Sequence, residues 1–272
     1  MNWLRNFLCK HFGIWCSHSE PMPETLPPCK AGLEFGYYGG GGFDHSTVAH
    51  IGSWGDWSEE GRAALIDTIV AQGHDAIAHG VTKLIFTLDF CLFTQTNPRQ
   101  VLVPSVSIQY LSEFFKRLQD EGLWQYVYAW YPVDEPNIPE IDLDPDELYV
   151  VTSRIRALDP DRPLLCIFGW VNGRFPGIES FDWVGFDNYG APIFDNGMYD
   201  ALLDSLHPKQ KTILVPGGAS PWREAPYRFY KEAQRPEVAL IMPFIWVTPD
   251  GIEVNGMAPE YRKVGLAVRG AV

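Results

Sequence analysis

The sequence has little that would tie it to a metal, a nucleotide, a nucleic acid or a bilayer. It carries five cysteines, an odd number, and no pair of them has the short spacing that metal sites use. Cys91 and Cys166 sit in apolar runs and read as small buried hydrophobes. The histidines are scattered rather than paired, so neither a metal nor a cofactor is expected. Lys and Arg number 21 against 34 Asp and Glu, for a net charge of −13. That balance excludes the clustered cations a phosphodiester backbone needs, and suits a neutral or cationic substrate. No apolar run reaches the roughly 18 residues that would span a bilayer. No Gly-x-Gly-x-x-Gly turn opens a helix, and the Gly39–Gly42 run lacks the Gly-Lys-Ser of a phosphate cradle.

What is abundant is aromatic: 10 Trp, 12 Tyr and 16 Phe in 272 residues. Sugar sites use such rings because the apolar face of a pyranose stacks on them while its hydroxyls find polar partners. Residues 1–30 differ from the rest. Trp3, Leu4, Phe7, Leu8, Phe12 and Trp15 recur at helical spacing around Arg5, Lys10 and His11. Lys10 and His11 interrupt what would otherwise be a secretory apolar core. The segment reads as an amphipathic helix for a protein partner, the domain itself or a membrane surface, with a degenerate export signal as the alternative. Pro21, Pro23, Pro27 and Pro28 then predict a stiff linker to a domain over 31–272.

From residue 32 the pattern alternates short apolar runs with helical segments. Strands are predicted over 33–38, 47–54, 83–93, 125–131, 163–170, 181–189, 211–216 and 238–247. Helices are predicted over 58–79, 105–121, 146–158, 197–206, 224–234 and 259–268. Ser58 caps the first helix and Gly122 stops the second. Continuous apolar strands separated by helices imply a parallel sheet covered on both faces. About 250 residues suits one (β/α)8 barrel, with a doubly wound open sheet as the alternative.

Catalytic groups of such a barrel lie at the C-terminal ends of its strands. Strand two offers His50 and Trp54, strand three Asp89, and strand five Trp170. Strand four offers Asp134-Glu135-Pro136, strand six Asp187-Asn188-Tyr189, and strand eight Trp246. His50, Trp54, Asp89, Trp170, Asn188, Tyr189 and Trp246 are thus candidate substrate contacts, and Glu135, Asp187 and Asp134 candidate catalytic carboxylates. Acids at apolar strand ends are costly unless paired or used.

On these residues the chain resembles the large clan of retaining (β/α)8 glycoside hydrolases. That clan's acid/base glutamate ends strand four, usually within Asn-Glu-Pro, where this chain has Asp134-Glu135-Pro136. The clan also carries an aromatic near strand six and a tryptophan at strand eight, matched by Tyr189 and Trp246. The resemblance implies a hydrolase of O-glycosidic bonds in an oligo- or polysaccharide, with Glu135 as general acid. A glycan-cleaving enzyme would meet its substrate outside the cell, and attachment to a particle through residues 1–30 would reconcile that with the interrupted export signal. A non-catalytic structural part of a larger assembly, a virion for example, is the alternative. The clan's second glutamate, at the end of strand seven, is missing: the chain there reads Val215-Pro216-Gly217-Gly218-Ala219-Ser220. Three solutions stay open. Asp187 acts as nucleophile or as the base of an inverting water. Or the substrate's own 2-acetamido group attacks, as in hexosaminidases whose adjacent Asp-Glu pair Asp134-Glu135 is similar to. Or the protein binds glycan without cleaving it.

Overall fold

The computed structural model describes residues 21–189, 191, 193–218, 224–244 and 258–270. The N-terminal helix expected over residues 3–15 lies outside these. Eight strands pair in parallel. In chain order they are β1 (Glu34–Phe35), β2 (Ala49–Ile51), β3 (Leu84–Thr87), β4 (Val127–Tyr131), β5 (Leu165–Gly169), β6 (Trp183–Asp187), β7 (Lys211–Leu214) and β8 (Val238–Ile241). Helices follow most of them: α1 (Glu59–Ala78), α2 (Asp89–Leu92), α3 (Pro104–Asp120), α4 (Pro145–Leu158), α5 (Met198–Ser205), α6 (Pro226–Glu232) and α7 (Ala258–Arg269).

The strands form a five-stranded sheet in the order β1-β8-β7-β6-β5 and a three-stranded sheet in the order β2-β3-β4. The expected single closed ladder is therefore not complete. Between β4 and β5 there are isolated parallel bridges, Trp130 to Leu164 and Asp134 to Ile167. Between β1 and β2 the amides of Thr47 and Val48 both donate to Phe35 O, at 2.8 and 3.1 Å.

Alternation within the strands sorts their side chains into two apolar clusters. Leu84, Phe86, Cys166, Phe168, Leu214 and Ile241 join the large one. Their chain neighbours Ile85, Leu165, Ile167, Ile213, Leu240 and Met242 join the smaller. Period 2 with both faces apolar is what a parallel sheet covered on both sides requires.

Local chemistry sets the helix ends. The Ser58 hydroxyl accepts from Gly61 N, and Asp144 with Glu147 forms a reciprocal capping box, so α4 starts one residue before the predicted Asp146. The predicted strand over 83–93 is corrected: only Leu84–Thr87 is extended, and Asp89–Leu92 is a short helix. The apolar run is continuous, but the Asp89 carboxylate accepts from Phe90 N and turns the chain. The proline segment read as a linker packs on the domain. Leu26 is buried, and Pro27 O accepts from the Tyr230 hydroxyl at 2.5 Å. No helix among the described residues is long and apolar enough to cross a membrane.

The approach of β1 to β2 depends on Gly36. A Cβ there would stand 2.1 Å from Val48 O and 2.9 Å from Val48 Cγ1. Gly36→Ala is expected to destabilise the protein by about 1–3 kcal/mol, the usual cost of overpacking. Urea denaturation measures this, and an unchanged midpoint would show that β1 and β2 do not need this approach.

Candidate functional site

Glu135 lies at the C-terminal end of β4 with φ +44°, a left-handed conformation that costs energy in a residue with a Cβ. Three sets of bonds hold it there. Its amide donates to Ile167 O at 2.9 Å. The Asn137 side chain clamps β5 in both directions, donating to Gly169 O at 2.8 Å and accepting from Gly169 N at 2.9 Å. Leu143 N closes the turn on Pro136 O at 2.9 Å. Gly169 makes room for the acid: a Cβ there would sit 3.3 Å from Glu135 Oε1 and 2.4 Å from Ile138 Cγ2.

Two strands away, β6 ends at Asp187. The Glu135 and Asp187 carboxyls lie close enough for each to influence the other's titration. Two neighbouring buried carboxyls do not readily ionise together. Burial pushes the Asp187 carboxyl up to about 9, assisted by the negative charges of Glu135 and Asp134. Burial and the Asp134 charge raise Glu135 as well. The pair thus titrates as a unit that retains one proton at neutral pH. The Tyr189 hydroxyl donates to Asp187 Oδ2 at 2.9 Å, and its ring stacks on Phe244 with centroids 5.0 Å apart.

Asp134 is engaged differently. Its Oδ2 accepts from the Tyr38 hydroxyl at 2.5 Å and its Oδ1 from the Tyr131 hydroxyl. Both oxygens are occupied, so Asp134 acts on the dyad through its charge. Burial raises its pKa while the two tyrosine bonds oppose the rise.

The other predicted residues divide between rim and interior. Trp54 is 59% exposed, with its ring 6.2 Å from that of Tyr38. Trp170 is half-buried against Phe186. Asn188 donates to Met198 Sδ at 3.3 Å. Trp246 lies outside the described residues. His50, expected at a sugar hydroxyl, is buried with both ring nitrogens bonded. Nδ1 accepts from Gly39 N at 2.9 Å, so the ring proton lies on Nε2 and is donated to Thr87 Oγ1 at 2.8 Å. Burial lowers its pKa to about 3, so it stays neutral.

Asp89 is likewise buried, accepting from the Ser53 hydroxyl and from Phe90 N at 3.0 Å, with Arg99 at 3.4 Å. Burial pushes it up to about 6. Glu224 folds back to the end of β7, where Oε2 accepts from Gly217 N at 2.7 Å. No group of His, Cys, Asp and Glu among the described residues is arranged to hold a metal ion.

Sequence reasoning missed Tyr38, Tyr131, Asn137, Gly169 and Phe244. Asn137, two residues after Glu135, and Tyr131, three before Asp134, were the ones with a local signal. The others meet the site only once the strands are assembled.

No protein-family model matches the sequence, and no curated protein matches it either. Solved structures resemble the fold. A fungal endo-β-N-acetylglucosaminidase of glycosyl hydrolase family 18 has a TM-score of 0.50 at 11% identity, over 91% of this chain and 100% of that one. A calcium-binding mutant of Bacteroides uniformis β-glucuronidase 2 has a TM-score of 0.51 at 11% identity, over 90% of this chain and 35% of that one. A family-2 β-galacturonidase from Eisenbergiella tayi bound to galacturonate has a TM-score of 0.50 at 11% identity, over 84% of this chain and 46% of that one. This chain therefore spans less than half of either bacterial enzyme. At such identity the likeness concerns the fold alone, which is a glycoside-hydrolase-like α/β fold.

The raised carboxyl of Asp187 has a definite consequence for stability. A group whose pKa is higher folded than unfolded stabilises fully below its unfolded value, near 3.8, and loses that contribution as pH rises through its folded value, about 9. Asp187→Asn removes the titration while keeping the shape. Its thermal midpoint should exceed that of the wild type at pH 8, and the difference should shrink toward pH 4. A difference independent of pH would show that Asp187 is not the proton-holding group.

Proposed function

We propose that the two parallel sheets are arcs of one (β/α)8 barrel and that the protein hydrolyses O-glycosidic bonds with Glu135 as general acid. We further propose that the sugar on the reactive side carries a 2-acetamido group, which serves as the nucleophile. The observation that supports this reading is the mutual influence of the neighbouring Glu135 and Asp187 carboxyls, with Asp187 pushed up to about 9. A double-displacement pair stands about 5 Å apart and an inverting pair about 6.5–9.5 Å, because the sugar, or the sugar and a water, lies between them. A carboxyl pushed up to about 9 keeps its proton at neutral pH and makes a poor nucleophile or base. We therefore read Asp187 as an orienting group.

Elsewhere no carboxylate replaces it. At the end of β7 Glu224 accepts from the Gly217 amide, and burial pushes it up to about 8, so at neutral pH it is protonated and a poor nucleophile. Asp134 is committed to two tyrosines. The remaining nucleophile is the substrate's own acetamido oxygen. Glu135 gives its proton to the leaving oxygen while the acetamido oxygen bonds to the anomeric carbon and the glycosidic bond breaks. As substrate enters, the pair's single proton passes to Glu135, and the Asp187 carboxylate left behind accepts the acetamido N–H and offsets the positive charge that develops on the ring so formed. Tyr189 holds Asp187 in place. Water then attacks the anomeric carbon, Glu135 takes its proton, and the acetamido group reopens with the configuration retained. Trp54, Trp170, Tyr189 and Phe244 form the apolar faces on which the sugar rings rest.

Glu135→Gln should cut turnover by about 10² to 10⁴ with little change in substrate binding, the usual share of a general acid. Proton NMR of the fresh product should show the configuration of the substrate. The wild type should favour aryl 2-acetamido glycosides over the 2-hydroxy analogues by at least about 10². Equal rates on the two, or an inverted product, would remove the acetamido step. Absence of turnover on every glycan offered would leave a glycan-binding protein in its place.

A further inference from the structure

The opposite end of the strands carries a second cavity that the carboxylate site does not explain. It opens beneath the N-terminal ends of β4, β6, β7 and β8, has a volume of about 550 Å3, and is lined by Lys30, Tyr128, Trp183, Lys211, Gln234 and Pro236 among others. That volume falls in the range of small-molecule sites, about 300–1,000 Å3. Its aromatic corner is formed by Tyr128 and Trp183, half-buried, with ring centroids 5.1 Å apart and planes at 58°. Period 2 places both side chains beside the smaller apolar cluster, so the corner is built on rigid strands rather than on a loop.

Charge is what sets this end apart. The chain as a whole has 13 more acids than bases, yet two ammonium groups line the cavity. Lys30 Nζ is held by backbone carbonyls, of Arg235 and, at 2.5 Å, of Val238. Lys211 Nζ lies 3.2 Å from Pro236 O, and its side chain is exposed. Among the described residues neither is paired with a carboxylate. The nearby acids are taken: Glu34 by Lys83, and Glu237 by Arg235. Burial depresses the Lys30 pKa, the charge of Glu237 opposes that in part, and the positive charge of Lys211 depresses it further, so an anion placed between the two lysines would relieve the remaining cost. A carbonyl-held ammonium keeps a donor hydrogen free for such an anion.

We infer that this cavity is a binding site for a small organic anion with one flat apolar face, an aryl or glycosyl phosphate. The apolar face lies against Trp183 and Tyr128, and the anionic oxygens lie between Lys30 and Lys211. The inference stands apart from the glycosidase reading, since none of its residues touches Glu135, Asp187 or Asp134.

Phenyl phosphate is a direct probe, with phenol and inorganic phosphate as its two halves. The readout is the Trp183 indole N–H signal in a nitrogen-15 NMR titration of the full chain, assigned by its loss in Trp183→Phe. Phenyl phosphate should move that signal with millimolar or better affinity. Each half alone should bind at least about tenfold more weakly, the loss expected for one charge-assisted hydrogen bond. Lys211→Glu, at an exposed side chain that the fold does not need, should weaken phenyl phosphate by at least about tenfold as well. Unchanged affinity in Lys211→Glu, or no shift at about 10 mM phenyl phosphate, would overturn the assignment. Inorganic phosphate binding as tightly as phenyl phosphate would overturn the aromatic half of it.

Discussion

Three carboxyl groups share the mouth of this fold, and they coexist there because one proton is shared between two of them. Glu135 and Asp187 are neighbours in a half-buried setting where two negative charges would repel with little water to screen them. Asp134 stays acceptable beside them because two tyrosine hydroxyls donate to it. The rest of the local structure answers to that arrangement. The left-handed backbone at Glu135, the Asn137 clamp on β5 and the absence of a side chain at Gly169 all bring the β4 acid toward β6.

The two ends of the strands differ in charge as well as in role. Acids collect where the strands finish, while Lys30 and Lys211, which have no carboxylate partner among the described residues, lie where β8 and β7 begin. The C-terminal ends are where loops can vary without disturbing strand pairing, which is why chemistry is sited there in parallel α/β folds. The N-terminal ends are shorter and more rigid, and suit recognition of a ligand that undergoes no reaction.

Much of this was legible in the sequence because it is written in local pattern. Asp134-Glu135-Pro136 follows an apolar run of strand length, and Asp187 follows another, so both acids could be placed at strand ends. Ser58 and Gly122 marked helix boundaries through chemistry that acts within one turn. What escaped was either ambiguous locally or not local at all. The apolar run over 83–93 has no period that separates strand from helix, and the Asp89 carboxylate decides between them. Tyr38 reaches Asp134 only after β1 and β4 are assembled. His50 looked like a sugar ligand because a strand end exposes it on paper, whereas Gly39 and Thr87 fold over both its nitrogens.

The account rests on one proton held between Glu135 and Asp187, and carbon-13 NMR of their side-chain carboxyls across pH tests it directly. Both signals should change together. The last proton should leave the pair only well above the ordinary carboxylate range, and replacing either residue with its amide should return the other toward that range. Two independent titrations near pH 4 would contradict the shared proton, and with it the reading of the site built on it.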